Sequence, residues 1–263
     1  MKSTASPKSL RRMSRASGEL YASVFLLAPL GFIVGKMAVT SPGPGRAAAE
    51  ELAANESLYR IGMVAEIGVV IVELVLAALL YALVRPVSRS LALGAALTRA
   101  AEAIVQAINL FPATVALAAA TGTGVYADVS LDSRDLVVRG AMDTYEMGIY
   151  IWGIPFALHV LFLGLLVVRS GVMPKLIGWA MVVASAGYFA DSLAPIGLPA
   201  ASSVTENFVL IVAIPAELAF AVWLIAKGLR ADVWQSLQRG DDGAPGEAGA
   251  ESSTSEPVAE SSR

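Results

Sequence analysis

Apolar and polar positions alternate in long blocks along this chain. A polar stretch over residues 1–19 is followed by apolar segments at about 20–40, 61–84, 91–120, 147–168, 174–194 and 205–227. Each reaches the roughly 20 residues that cross ~30 Å of hydrocarbon as α-helix, so the pattern predicts an all-α, polytopic membrane fold of six transmembrane helices. At ~1.5 Å per residue the third segment is ~45 Å long and is expected to tilt or protrude. From about residue 239 the chain turns to Gly, Ser, Ala and Glu without an aromatic residue. Such a stretch buries too little apolar area to offset its ordering entropy, and it is predicted to be disordered. The expected organisation is a basic head (1–19), a six-helix membrane domain (20–230) and a tail (231–263).

The connections alternate in kind. Residues 41–60 open on Pro42–Gly43–Pro44–Gly45 and turn acidic through Glu50, Glu51 and Glu56. Residues 121–146 are long and mixed, with Asp128, Asp132, Asp135 and Asp143, and Leu131, Leu136, Val138 and Met142 there predict a short helix lying on the membrane surface. By contrast, 85–89 and 169–175 are tight, basic turns. The second of these joins the segment that holds His159 to the one ending in Tyr188–Phe189–Ala190–Asp191–Ser192.

Composition sharpens this picture. Hydrophobic residues make up 56% of the chain and charged ones 16%, with a mean hydropathy of +0.65. A soluble domain carries about 25% charged residues, so an integral, multi-pass membrane protein is expected, placed in the cell (plasma) membrane with the lipid bilayer as its first partner. Of the 19 Lys and Arg residues, 13 fall in the head, the two tight turns and the C-terminal region. Only Arg46, Arg60, Arg134 and Arg139 fall on the other side. The excess puts both termini in the cytoplasm. A basic head before an apolar run also fits a signal peptide cleaved after Val39 or Thr40, but the run exceeds the usual h-region of 7–15 residues, which favours an uncleaved span. Lys36, near its far end, can reach outward to the interface.

The absence of cysteine excludes disulfides, thiol nucleophiles and iron–sulfur ligation. A single histidine excludes bis-histidine haem and a three-histidine zinc site within one chain, so no metal or cofactor is expected. No basic patch is interleaved with aromatic residues, and no nucleic-acid partner is expected. Oligomeric state is left open.

Candidate chemistry lies in the ionisable residues inside the apolar segments: Glu66, Glu73, Arg99, Glu102, His159, Asp191 and Glu217. An Asp, Lys or Arg at mid-helix costs about 2.5–3.5 kcal/mol on insertion, so such residues face protein or water. Arg99, Glu102, Gln106 and Asn109 are spaced 3, 4 and 3 apart, an arc of about 80° on one helix face. Glu66 and Glu73, seven apart, share a face within about 20°. Counted from the basic boundary residues, Glu73, Glu102, His159 and Glu217 lie ~15–20 Å deep, near the bilayer midplane. Glu66 and Asp191 lie nearer the outer face and outline an acidic access route. Pro112, Pro155 and Pro215 sit beside this centre and each frees a backbone carbonyl one turn back.

Three readings remain open at this point. In the first, the centre binds a proton and a small solute, as in a transporter. Arg99 is then the counter-charge, Glu73, Glu102 and Glu217 are proton carriers, and His159 is the group suited to switching. In the second, the charges are inter-helix glue, with Arg99 neutralising Glu102 or Glu73 and His159 capping Glu217. In the third, the protein is an intramembrane enzyme acting on a lipid or isoprenoid, with His159 and Asp191 or Glu217 as an acid–base pair. No catalytic residue is assigned from spacing alone, and an enzyme is the less favoured class.

Several stretches carry a resemblance: Leu58–Tyr59–Arg60–Ile61–Gly62; residues 83–93 continuing to Arg99 and Glu102; Leu158–His159 with Gly164; and Arg169–Ser170–Gly171. Residues 187–192 and Pro215–Ala216–Glu217–Leu218 with Trp223 complete the set. In their order and spacing over roughly residues 15–230, the sequence resembles the membrane-protein family catalogued as domain of unknown function 4386. The resemblance implies a multi-span helical membrane fold and brings no activity, substrate or cofactor with it.

Overall fold

In oil every backbone N–H and C=O must find its partner within the segment, so long apolar runs become helices. The computed structural model describes residues 6–31 and 47–243, and within them the chain is helical with no strand. In order come α1 (Pro7–Pro29), α2 (Ala48–Ala54), α3 (Glu56–Val84), α4 (Arg89–Thr121), α5 (Leu131–Ser170) and α6 (Lys175–Gly197). The short α7 (Ser202–Phe208), a π-helical turn (Val209–Ala213), α8 (Ile214–Ala226) and α9 (Ala231–Gly243) follow. Five stretches among the described residues are long and apolar enough to cross a bilayer: Glu56–Val84, Arg89–Tyr126, Leu131–Ser170, Lys175–Gly197 and Pro199–Ala226. Large apolar side chains such as Ile61, Val64 and Ile71 on α3 and Leu97, Ile104 and Phe111 on α4 are exposed. An exterior of this kind suits lipid, and the chain is a multi-pass membrane protein. The expected first span, 20–40, begins in α1 and continues into residues outside the described ones, as does the tail after Gly243.

Local chemistry sets the boundaries. Ser88 caps α4 by accepting from Leu91 N, and Gly122, at φ 64°, ends that helix in the left-handed region. Gly171, at φ 68°, ends α5, and Pro174 opens α6.

One expected element does not exist as such. The short surface helix foreseen within 121–146 is instead the first part of α5, a single helix of 40 residues and ~60 Å. Its inward stripe explains the continuity: Val138, Ala141 and Tyr145 are buried in helical phase with Gly153, Phe156, Val160 and Leu163 further along. Gly140, Gly148 and Gly153 fall in the run before Pro155, and none of them is enough to end a packed helix.

Two apolar cores form, one toward each end of the bundle. The first gathers Leu80 and Leu83 of α3, Leu163 and Leu166 of α5 and Leu224 of α8, and Trp234 of α9 seals it. The second gathers Leu52, Tyr59, Ala116, Val138 and Tyr145. On α3 and α4 the buried polar residues fall between the two sets, so a polar layer separates two apolar ones.

Backbone carbonyls tie the basic end together. The Arg11 guanidinium donates to the carbonyls of Leu224, Ile225 and Ala226 at 3.2, 3.0 and 2.8 Å, capping the C-terminus of α8. Trp234 Nε1 donates to the Leu83 carbonyl at 2.7 Å, and Arg230 N donates to the Val172 carbonyl at 3.0 Å. The head, both tight turns and α9 therefore meet at one end of the bundle. Within the α5–α6 hairpin, Gly164 and Gly178 face each other so closely that a Cβ on either would lie 2.8 Å from the other's carbonyl oxygen.

Candidate polar site and cavity

The polar face foreseen on α4 points inward. Arg99, Glu102, Gln106 and Asn109 are all buried, with Arg99 at 1% and Glu102 at 0% exposure. Their spacing allows nothing else once one residue of the stripe turns to the interior.

Arg99 is the hub. Its Nε lies 2.5 Å from Glu73 Oε2 on α3 and 3.8 Å from Glu102 Oε1 on its own helix. Its guanidinium also sits 4.7 Å from the centroid of the Tyr21 ring on α1, in cation–π geometry. Tyr21 extends the network: its hydroxyl donates to Glu217 Oε2 at 2.5 Å, and Tyr188 of α6 donates to Glu217 Oε1 at 2.5 Å. Both carboxylate oxygens of Glu217 thus hold a phenol. Five helices (α1, α3, α4, α6 and α8) meet through these groups.

The structure thus brings Glu73, Arg99, Glu102 and Glu217 into one linked group. His159, also buried, stands one turn away: its Nδ1–H donates to the Ala95 carbonyl at 2.7 Å, and its Nε2 has no partner among the described residues. His159 therefore does not cap Glu217. The two tyrosines already occupy that carboxylate, and the Ala95 carbonyl fixes the ring on α4.

Glu66 and Asp191 share no partner with the Arg99 group among the described residues. Glu66 accepts from the Tyr145 hydroxyl at 2.6 Å, and Asp191 accepts from Thr205 Oγ1 at 2.8 Å. Asn109 donates to the Tyr145 carbonyl at 2.9 Å, and its amide fills the place that a side chain at Gly148 would take.

A cavity of about 300 Å³ opens beside this group. Glu73, Arg99, Gln106 and Glu217 form its polar part, and the wall is apolar and aromatic, including Val24, Val69 and Trp152. Neither amide atom of Gln106 has a hydrogen-bond partner among the described residues, nor does Arg99 Nη1. The π-helical turn and Pro215 shape one side, where Val209 and Ile214 line the space. A proline cannot donate to the turn before it, and π-turns collect at functional sites. Among the described residues no three of His, Asp and Glu gather as a metal site.

Sequence reasoning missed Tyr21 and Tyr188 as partners of Glu217. The available signal was a phenol inside an apolar span, since a buried tyrosine hydroxyl needs an acceptor.

A family profile described as Domain of unknown function (DUF4386) matches residues 16–228. An "Uncharacterized protein" of Archaeoglobus fulgidus is 29% identical over 160 residues, which cover 61% of this chain and 79% of that protein. No solved structure matches.

Proposed function

The chain belongs to the family described as Domain of unknown function (DUF4386), and from that premise we propose that it is a solute-binding membrane protein of transporter type. Its cavity takes a small, mainly apolar solute by one polar end, and a proton is exchanged at the carboxylates beside it. The protein sits in the plasma membrane as six spans, with both termini and the basic turns on the cytoplasmic side.

One observation carries this reading. Gln106 and Arg99 line a cavity of about 300 Å³, the small end of the range for ligand sites, and the buried amide atoms of Gln106 and Nη1 of Arg99 have no hydrogen-bond partner among the described residues. Buried polar groups are normally paired, because leaving one unpaired costs about 1–3 kcal/mol. The charge count supports the proton: Glu73, Glu102 and Glu217 face one guanidinium, and neutrality then requires bound protons or a cationic guest.

The glue reading keeps a specific support of its own, because Glu73–Arg99 and the tyrosines on Glu217 join five helices. Glue and site are compatible, since a binding centre must also be held in place. The enzyme reading has less behind it: His159 is absent from the cavity lining and engages a backbone carbonyl.

A thermal-shift screen of small amphipathic solutes on the detergent-purified chain tests the proposal. The expected result is a set of stabilising compounds whose effect disappears in Val24→Phe, which narrows the cavity from its wall. Compounds that stabilise both forms equally, or none at all, would overturn it.

A further inference from the structure

The cavity wall carries an unusual density of rings. Tyr21, Phe25, Trp152, Phe156 and Tyr188 all line it. They form two ring clusters: in one, Trp152 stacks on Phe156 with centroids 4.8 Å apart, and Phe156 meets Tyr188 edge-on at 4.8 Å. In the other, Tyr21 stacks on Phe25 at 6.2 Å. Ring faces attract cations through their quadrupole, and the Arg99 guanidinium over Tyr21 is an instance within this site. The carboxylates at the polar end outnumber the one cation, with Glu73 and Glu217 both reaching the cavity.

Resting on the solute-binding reading above, we infer that the guest is an organic cation, a substituted amine or quaternary ammonium group bearing an apolar body. The cationic end lies against the ring faces toward Glu217 and Gln106, and the aliphatic wall of Val24, Val69 and Ile214 holds its alkyl or aryl part. An anionic guest is served by Arg99 alone, which Glu73 already engages at 2.5 Å. A neutral guest gains from the wall but leaves the carboxylate excess unanswered. Aromatic boxes closed by a carboxylate are the recurring answer to alkylated ammonium groups, whose diffuse charge is easily stripped of water.

The groups facing Glu217 come from every neighbouring element: the Tyr21 hydroxyl from α1, Glu73 from α3, Arg99 and Glu102 from α4, and the Tyr188 hydroxyl from α6. Only Arg99 among them is cationic. A guest cation at this point supplies the second positive charge and takes the place of a bound proton.

The test uses the full chain in lipid nanodiscs with three probes of similar size: benzyltrimethylammonium, benzyl alcohol and benzoate. Binding is followed by tryptophan fluorescence and by thermal shift. Benzyltrimethylammonium is expected to bind at least tenfold more tightly than the other two. Glu217→Gln weakens it about tenfold or more, the loss of one desolvated charge contact. Trp152→Leu, which keeps the wall apolar, weakens the cation and leaves benzyl alcohol unchanged, so a folding defect in one variant does not decide the matter. Tighter binding of benzoate, or equal binding of cation and alcohol, overturns the cation assignment and leaves the solute reading standing. If none of the three binds, the inference falls, while the wider screen with Val24→Phe judges the solute reading separately.

Discussion

Arg99→Met is the perturbation that bears hardest on the polar layer. The side chain is 1% exposed and faces Glu73 at 2.5 Å and Glu102 at 3.8 Å. Deleting one partner of a buried ion pair strands the other charge, at a cost of about 3–5 kcal/mol. For a domain of this size that is on the order of 10 °C in the thermal transition. Coulomb attraction falls as the inverse of separation, so the Glu73 contact outweighs the Glu102 contact by about one and a half times. In the Arg99→Met background, Glu73→Gln is therefore expected to restore more stability than Glu102→Gln. The internal control is Arg60→Met. Arg60 and Glu56 lie 2.8 Å apart, but on the surface at 56% and 41% exposure. Such a pair is worth about 0–1 kcal/mol. The assay is thermal or SDS-induced unfolding of the detergent-purified proteins. If Arg99→Met behaves like Arg60→Met, or if Glu102→Gln rescues better than Glu73→Gln, the account of Arg99 as the hub is wrong.

Four further outcomes follow from particular positions. Gly164→Ala places a Cβ 2.8 Å from the Gly178 carbonyl and should destabilise the hairpin by about 1–3 kcal/mol. Gly140→Ala, with nothing within 4 Å, should be neutral or stabilising by up to ~1 kcal/mol in the same unfolding assay. Tyr188→Phe leaves Glu217 Oε1 without its donor and should cost about 1–3 kcal/mol, and Tyr21→Phe should cost more because the ring's contact with Arg99 is also disturbed. Trp234→Phe removes the hydrogen bond to the Leu83 carbonyl, and limited trypsin digestion should then cut after Arg230 sooner while the bundle stays intact.

The membrane class and the inward α4 face were legible because both rest on period and length. Spacings of 3, 4 and 3 fix a helix face whatever the tertiary structure. The continuity of α5 was not legible. Asp132, Asp135 and Asp143 read as a loop by charge, while the stripe from Val138 to Tyr145 that decides the matter shows only when α2 and α4 supply the surface it packs on. Asp135 itself belongs to that packing, accepting from Ala49 N at 3.1 Å at the start of α2. The tyrosines on Glu217 were hidden for a different reason. Tyr21 and Tyr188 lie 167 positions apart, yet both hydroxyls reach one carboxylate. His159 shows the same limit in reverse: as the lone histidine it drew a role with Glu217, whereas its ring bonds a carbonyl on α4.

Gln106 separates glue from site more sharply than any charge does. On the same stripe Asn109 reaches the Tyr145 carbonyl and Arg99 pairs with Glu73, so each of these two joins helices. Gln106, between them, bonds nothing among the described residues and lines the cavity. Were it glue, Gln106→Leu would destabilise the chain. As a group kept for a guest, it carries an unrecovered desolvation cost of about 1–3 kcal/mol, and an isosteric apolar side chain removes that cost. Gln106→Leu is therefore expected to raise the unfolding temperature of the solute-free protein and to diminish the thermal shift produced by any stabilising solute from the screen. A variant less stable than the parent, with its solute response intact, would return Gln106 to the role of inter-helix contact and take the main support from the cavity as a binding site.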